Sequence, residues 1–237
     1  MEQKAPLRPA TLYLVATPIG NREDITLRAL RTLEECDLVA AEDTRRTGQL
    51  LKYFGISKPL LSYFQFNEAK RSEEIIDRLR RGEKIALTSD AGSPGISDPG
   101  ERVVKAAINA GFRVEPVPGP TALVAALTAS GLPTNEFHFV GFLPHKAGQR
   151  RSKLERVRQF DGTLILFESP FRIERLLTEL AELMPKSEVV LARELTKKFE
   201  EFLRGSPDQL LQKLKGRSLK GEFVVLLSQR RDDESGE

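Results

Sequence analysis

The twelve residues SDAGSPGISDPG (89–100) hold two aspartates, three glycines and two prolines. They follow the apolar run KIALTS and precede a helix expected to begin near Glu101. A strand-to-helix turn needs only about three to five residues and no carboxylates. A stretch of this length and composition at the carboxyl end of a parallel strand is therefore expected to bind a ligand, because open α/β sheets hold ligands there and glycine lets a ligand approach the backbone. ATPIGNRED (16–24), AAEDTRRT (40–47) and PGPTA (118–122) share this placement, so four loops should converge on one rim. The second sets Glu42 and Asp43 beside Arg45 and Arg46; it offers carboxylates for acid-base work, or ion pairs that fix the loop. No G-x-G-x-x-G and no G-x-x-x-x-G-K-[ST] occurs, which argues against a standard dinucleotide site and a P-loop.

Short β-type runs that alternate with amphipathic helices must position these loops, the pattern of an α/β protein with parallel strands. Strands are expected at TLYLVA (11–16), DLVAAE (37–42), KIALTS (84–89) and RVEPV (113–117), with PLLSYF (59–64) weaker. ITLRALRTLEE, RRTGQLLKYF and NEAKRSEEIIDRLRR carry apolar residues at three- and four-residue spacing. Asn67 is expected to cap the third helix, and Gly82 and Gly111 to end helices. After VPGP (117–120) come TALVAALTASG, a helix apolar enough to need cover on most sides, and the aromatic strand FHFVGFLP. TLILFE (163–168), EVVLAREL (188–195) and GEFVVLLS (221–228) read as further strands, SPFRIERLLTELAEL and SPDQLLQKLKG as helices, and KKFEEFLRG as a segment between them. Two α/β domains follow, over 11–116 and 117–230, with 1–10 and 231–237 as flexible tails.

Of the 237 residues 40% are hydrophobic and 30% charged, which excludes wholesale disorder. A single cysteine, Cys36, and two histidines, His138 and His145, supply neither a disulfide framework nor a zinc set. The expectation is a reduced, cytoplasmic, metal-free protein. No run approaches the roughly 18 apolar residues of a membrane span. Cys36 reads as a buried thiol, His138 as a packed ring, and His145 as an exposed residue. The formal charge is only +3, but Lys146, Arg150, Arg151, Lys153, Arg156 and Arg158 crowd together with Glu155 the only acid among them. With Leu154 and Val157 turned inward, that run is either a phosphate-contact surface or a solvated helix face.

LYLVATPIGNREDITLRAL, AAEDTRRT, SDAGSPGISDPG, PGPTA, ASGLPTNEFHFVGFLP, FESPFRI, ARELTKKFEEFLRG and KGEFVVLL occur in this order over about residues 11–228. In these motifs the sequence resembles the tetrapyrrole-methylase superfamily of S-adenosylmethionine (SAM) methyltransferases, and within it the branch that modifies ribosomal RNA. A first loop reading TPIGN, less glycine-rich than in many tetrapyrrole-modifying relatives, fits that branch. The resemblance implies a mostly parallel N-terminal sheet and a mixed C-terminal sheet, both with helices, and SAM in the interdomain cleft. By motif, SAM contacts fall on Pro18, Ile19, Asp90, Ser93, Ile96, Thr121, Ala122, Phe167, Leu195, Glu222 and Phe223. Asp43 matches a carboxylate taken as base in the superfamily, with Glu42 as second candidate. The implied reaction is 2′-O-methylation of a cytidine ribose in 16S ribosomal RNA within the small subunit, by a homodimer for which FHFVGFLP offers a surface. Arg22, Arg45, Arg46, Lys146, Arg150, Arg151 and Lys153 are the expected RNA contacts, while Arg28 reads as helix surface. A precorrin-type tetrapyrrole methyltransferase and a non-catalytic RNA- or ribosome-binding protein remain the alternatives.

Overall fold

Strands covered on both faces read as near-continuous apolar runs, and the first half of the chain is built from them. The computed structural model describes residues 6–229 and divides the chain into two units, one ending at Thr121 and one starting at Ala122. In the first, β1 (Thr11–Val15), β2 (Leu38–Ala41), β3 (Leu60–Ser62), β4 (Lys84–Thr88) and β5 (Arg113–Val117) form one parallel sheet in the order β3-β2-β4-β1-β5. Along β1, Leu12 joins one core layer with Ile75, Ile76, Leu79, Val103 and Ala107. Its neighbours Tyr13 and Val15 join the other, with Ala29, Leu33 and Leu51. Thus α3 (Glu68–Arg80) and α4 (Glu101–Asn109) cover one face, and α1 (Leu27–Glu35) and α2 (Thr44–Tyr53) the other. All five strands then point their carboxyl ends at one rim.

Gly82 and Gly111 follow α3 and α4 with φ of +85° and +79°, as expected of helix-ending glycines. Asn67 stands at the N-cap of α3 but makes no side-chain bond to that helix. Its Oδ1 accepts from Phe64 N–H and its Nδ2 donates to Ser62 O, so it fixes the preceding turn instead. Leu7 packs on the core and Arg8 N–H donates to the Tyr13 hydroxyl, which ties this part of the expected N-terminal tail to the sheet. The rest of the tail expectation, at 1–5 and 231–237, lies outside the described residues.

In the second unit, β6 (Phe137–Phe142), β7 (Thr163–Glu168), β8 (Ser187–Arg193), β9 (Glu201–Gly205) and β10 (Phe223–Gln229) form a mixed sheet in the order β6-β7-β10-β8-β9. Only β6 and β7 run parallel. The core on one face joins Leu164, Leu166, Leu191 and Val225 to α6 (Ala147–Val157), α7 (Ile173–Leu183) and α8 (Pro207–Leu214). α5 (Ala122–Ser130) packs against β8 and β10. It is less covered than its composition implies: Ala126 and Leu127 are buried, but Val124 is exposed. Only one side of α5 meets the sheet of its own unit. The KKFEEFLRG segment contributes β9, an antiparallel edge strand whose charged side chains hide its period. No helix among the described residues is long and apolar enough to cross a membrane.

Candidate active site on the rim of the parallel sheet

Hydrogen bonds stitch the loops after β1, β2, β4 and β5 together. Thr17 N–H donates to Gly92 O and Gly92 N–H to Thr17 O, both at 2.9 Å, while the Thr17 hydroxyl donates to Ser89 O. The Ser93 hydroxyl donates to Pro120 O at 3.4 Å. A Cβ on Gly119 would sit 2.9 Å from Ala16 Cβ, so this crossing of two loops admits only glycine without movement. The fourth loop is tied by carboxylates. Asp90 Oδ1 accepts from Asp43 N–H at 3.0 Å, Asp90 Oδ2 pairs with Arg46 at 3.2 Å, and Glu42 Oε2 accepts from Asp90 N–H at 3.3 Å.

Three of the carboxylates differ sharply in environment. Asp43 caps α2 by accepting from Arg45 N–H, and Arg45 also grips it through Nε and Nη2. Those bonds hold its carboxyl well below the usual range. Glu42 is pushed up, chiefly by burial and also by the charges of Asp90 and Asp43. Asp98 is pushed up to about 6, first by burial and then by the charge of Glu42, against a hydrogen bond from Ser89. Asp98 was visible in the sequence as the second aspartate of the loop, but nothing there showed that it would face Glu42 and Asp90.

Pro18 and Ile19 are half-buried on the first loop, and Ile19 lies against the Cα side of Gly92. Ile96 is exposed and Thr121 half-buried. Apolar side chains beside partly buried carboxylates suit a ligand that joins a flat apolar ring, hydroxyls and positive charge. Such a donor set fits SAM. Among the arginines, Arg22 lies over the Tyr53 ring at 4.3 Å, and Arg45 and Arg46 leave most of their surface in solvent. Arg28 pairs with Glu115 on the surface.

In the second unit, the Phe167 ring meets Phe139 and Phe142 edge-on, at 5.0 and 5.6 Å. Leu195 stands between Glu194 and Thr196, both with positive φ, and Ala122 is half-buried at the start of α5. Glu222 is held by Lys197 and by its own N–H donating to Glu194. The Phe223 ring lies in the core at 2% exposure, so its side chain is packed rather than presented to a ligand.

Arg150 corrects the expected basic surface. Its side chain is 3% exposed and donates to both Glu179 oxygens at 2.6 Å and to Pro144 O and His145 O. It sits one turn before Leu154 on the inward side of α6, so its stem follows the apolar face into the unit. Arg151 is exposed but paired with Glu155 and Glu182. Lys146 is exposed and Lys153 half-buried. Cys36 is buried, which pushes its thiol up to about 11 and removes it as a nucleophile.

The profile of the Tetrapyrrole (Corrin/Porphyrin) Methylases matches residues 11–211, which includes all four rim loops. The chain belongs to this family. It is 49% identical to ribosomal RNA small subunit methyltransferase I of Halalkalibacterium halodurans over 92% of this chain and 75% of that protein. With the protein of that name from Xylella fastidiosa it is 48% identical, over 96% of this chain and 84% of the relative. Among solved structures, uroporphyrin-III-C-methyltransferase from Thermus thermophilus superposes with a TM-score of 0.65 and 25% identity, covering 92% and 94% of the two chains. Diphthine synthase shares the fold, at a TM-score of 0.71 and 17% identity over 92% and 90%.

Proposed function

We propose that the protein is a SAM-dependent methyltransferase that methylates the 2′-hydroxyl of a cytidine ribose in 16S ribosomal RNA, in the small ribosomal subunit. The near full-length likeness to the two ribosomal RNA methyltransferases carries this reading. The rim geometry supports it, since its loops carry the apolar and acidic groups that such a cofactor needs. When bound, SAM supplies a methyl group on a sulfonium, an already activated leaving group. In the first unit Pro18, Ile19, Asp90, Ser93, Ile96 and Thr121 hold it; in the second, Ala122, Phe167, Leu195, Glu222 and the backbone at Phe223 are the assigned contacts.

The task left to the chain is positioning, together with acceptance of one proton. A ribose hydroxyl becomes strongly acidic only as the new bond forms, so a carboxylate suffices as acceptor. Both Asp43 and Glu42 stand at the end of β2. Asp43 is engaged by Arg45 and the start of α2, whereas Glu42 has the raised proton affinity that favours a base. Glu42 is therefore assigned the proton and Asp43 the shape of the loop. Arg22, Arg45, Arg46, Lys146, Arg151 and Lys153 are the cations left to meet phosphates once Arg150 is set aside. The working form is a cytoplasmic homodimer.

Incubation with methyl-labelled SAM and undermethylated small subunits tests the reading. Label should enter 16S RNA and be recovered as 2′-O-methylcytidine on digestion. Label on a base, or on a precorrin-type tetrapyrrole instead of RNA, would refute it. Absence of SAM binding in a calorimetric titration would leave the non-catalytic ribosome-binding alternative.

A further inference from the structure

The edge strand β3 delivers a second feature to the same rim. β2 and β3 are parallel, with Ala41 opposite Ser62, and Tyr63 N–H donates to Ala41 O at 2.8 Å. The segments that leave these strands, Glu42 to Arg46 and Phe64 to Asn67, therefore start side by side at one end of the sheet. The second is a fixed turn. Phe64 N–H donates to Asn67 Oδ1 at 2.8 Å, Asn67 N–H to Phe64 O at 2.9 Å, and Asn67 Nδ2 to Ser62 O at 3.1 Å. Glu68 Oε1 then accepts from the Tyr63 hydroxyl and from Gly100 N–H, which joins the turn to the end of the glycine-rich loop.

What this turn holds out is aromatic. Phe66 is 87% exposed, and Phe64, at 38%, meets it edge-on with ring centres 6.1 Å apart. A ring left this bare contributes nothing to the core, yet the backbone beneath it is locked on both sides. Cations stand on the adjoining segment and on α3: Arg45 and Arg46, each paired with an aspartate, still keep 86% and 69% of their side-chain surface in solvent, and Lys70 is exposed in the first turn of α3. A bare aromatic face among cations complements a flat base on an anionic backbone. Unpaired RNA is recognised in this way, by stacking of splayed bases on aromatic side chains with phosphates held by Arg and Lys.

We propose that Phe66, buttressed by Phe64, is a stacking platform for an unpaired base of the RNA substrate beside the Glu42 and Asp43 carboxylates. The assignment rests on the RNA methyltransferase reading above and adds a specificity element to it. The ring grips the strand near the reacting nucleotide, while the fixed turn keeps the ordering cost low.

Two measurements on the full chain separate this proposal from the reading beneath it. In methyl transfer to undermethylated small subunits, Phe66→Ala should lower kcat/KM by about 5- to 150-fold, the range a stacked base contributes. SAM affinity by calorimetry and the melting temperature should stay unchanged, Phe66→Trp should retain activity, and Phe66→Leu should not. In the second measurement, a single-stranded oligoribonucleotide carrying 2-aminopurine should lose fluorescence on binding the wild type and keep it with Phe66→Ala. Equal quenching by both, or none by either, would overturn the platform. Leucine as effective as tryptophan would do so too, as would a change of oligomeric state in light scattering on Phe66→Ala, which would make the ring a contact between copies of the chain. Failure of the wild type to label RNA would instead count against the methyltransferase reading, and the quenching experiment would still decide the platform.

Discussion

Arg150→Ala should cost stability and leave RNA affinity in place. The guanidinium is 3% exposed and makes two 2.6 Å bonds to Glu179 plus bonds to the carbonyls of Pro144 and His145. Truncation would leave the mostly buried Glu179 with only Arg175, at 3.6 Å, and would take the guanidinium donor from His145 O, while Pro144 O keeps Arg172. Removing one partner of a buried ion pair costs about 3–5 kcal/mol. Because Arg175 can partly take over, about 2–4 kcal/mol is the expectation here. For a chain of this length each kcal/mol shifts the melting temperature by about 2–4 °C, so a fall of roughly 5–15 °C should appear in thermal unfolding followed by circular dichroism. Arg150→Met with Glu179→Met should cost less than the two single changes added, since the double change leaves no lone charge. Arg151→Ala, on an exposed side chain, should leave the melting temperature nearly unchanged. Filter binding to small subunits across a salt series gives the second readout, in which Arg150→Ala should keep the wild-type slope. A variant that melts with the wild type and shows a shallower salt dependence would refute the reasoning and make Arg150 a phosphate contact.

Glu42→Gln should lower single-turnover methyl transfer by about 10²- to 10⁴-fold with SAM affinity retained, because the amide keeps an acceptor for Asp90 N–H but takes no proton; a larger loss for Asp43→Asn would move the base to Asp43. Asp98 is held above its ordinary value, so the folded state binds its proton more tightly than the unfolded chain. The stability from that proton is full below the ordinary carboxylate value and is lost as pH rises to about 6. Asp98→Asn should therefore raise the melting temperature by about 2–8 °C at pH 7.5 and give no gain at pH 4, while equal shifts at both would exclude the titration. Gly119→Ala brings a methyl to 2.9 Å from Ala16 Cβ and should part the loops after β1 and β5, lowering SAM affinity about tenfold in calorimetry; an unchanged Kd would show that the crossing has room to give.

The sequence by itself determined the order and type of nearly all the elements, because each rests on local signals: both-face apolar runs for β1, β2 and β4, three- and four-residue spacing for α1 to α4, and glycine after α3 and α4. It also singled out the four rim loops, since a long loop rich in glycine, proline and aspartate has no structural need to be so. Tertiary structure alone decided what depends on distance along the chain. Spacing placed Arg150 on an exposed remainder, but a carboxylate 29 residues away on α7 draws it inward, and no local pattern records that pairing. Asn67 carried the right residue type at a helix start, yet the turn from β3 competed for its side chain. Likewise Asp43, Glu42 and Asp98 are similar acids in the sequence. They differ in proton affinity because Arg45 folds back on the first, while burial and neighbouring charge act on the other two. Burial and through-space charge are set by which loops the sheet register brings together, and that is a property of the folded chain.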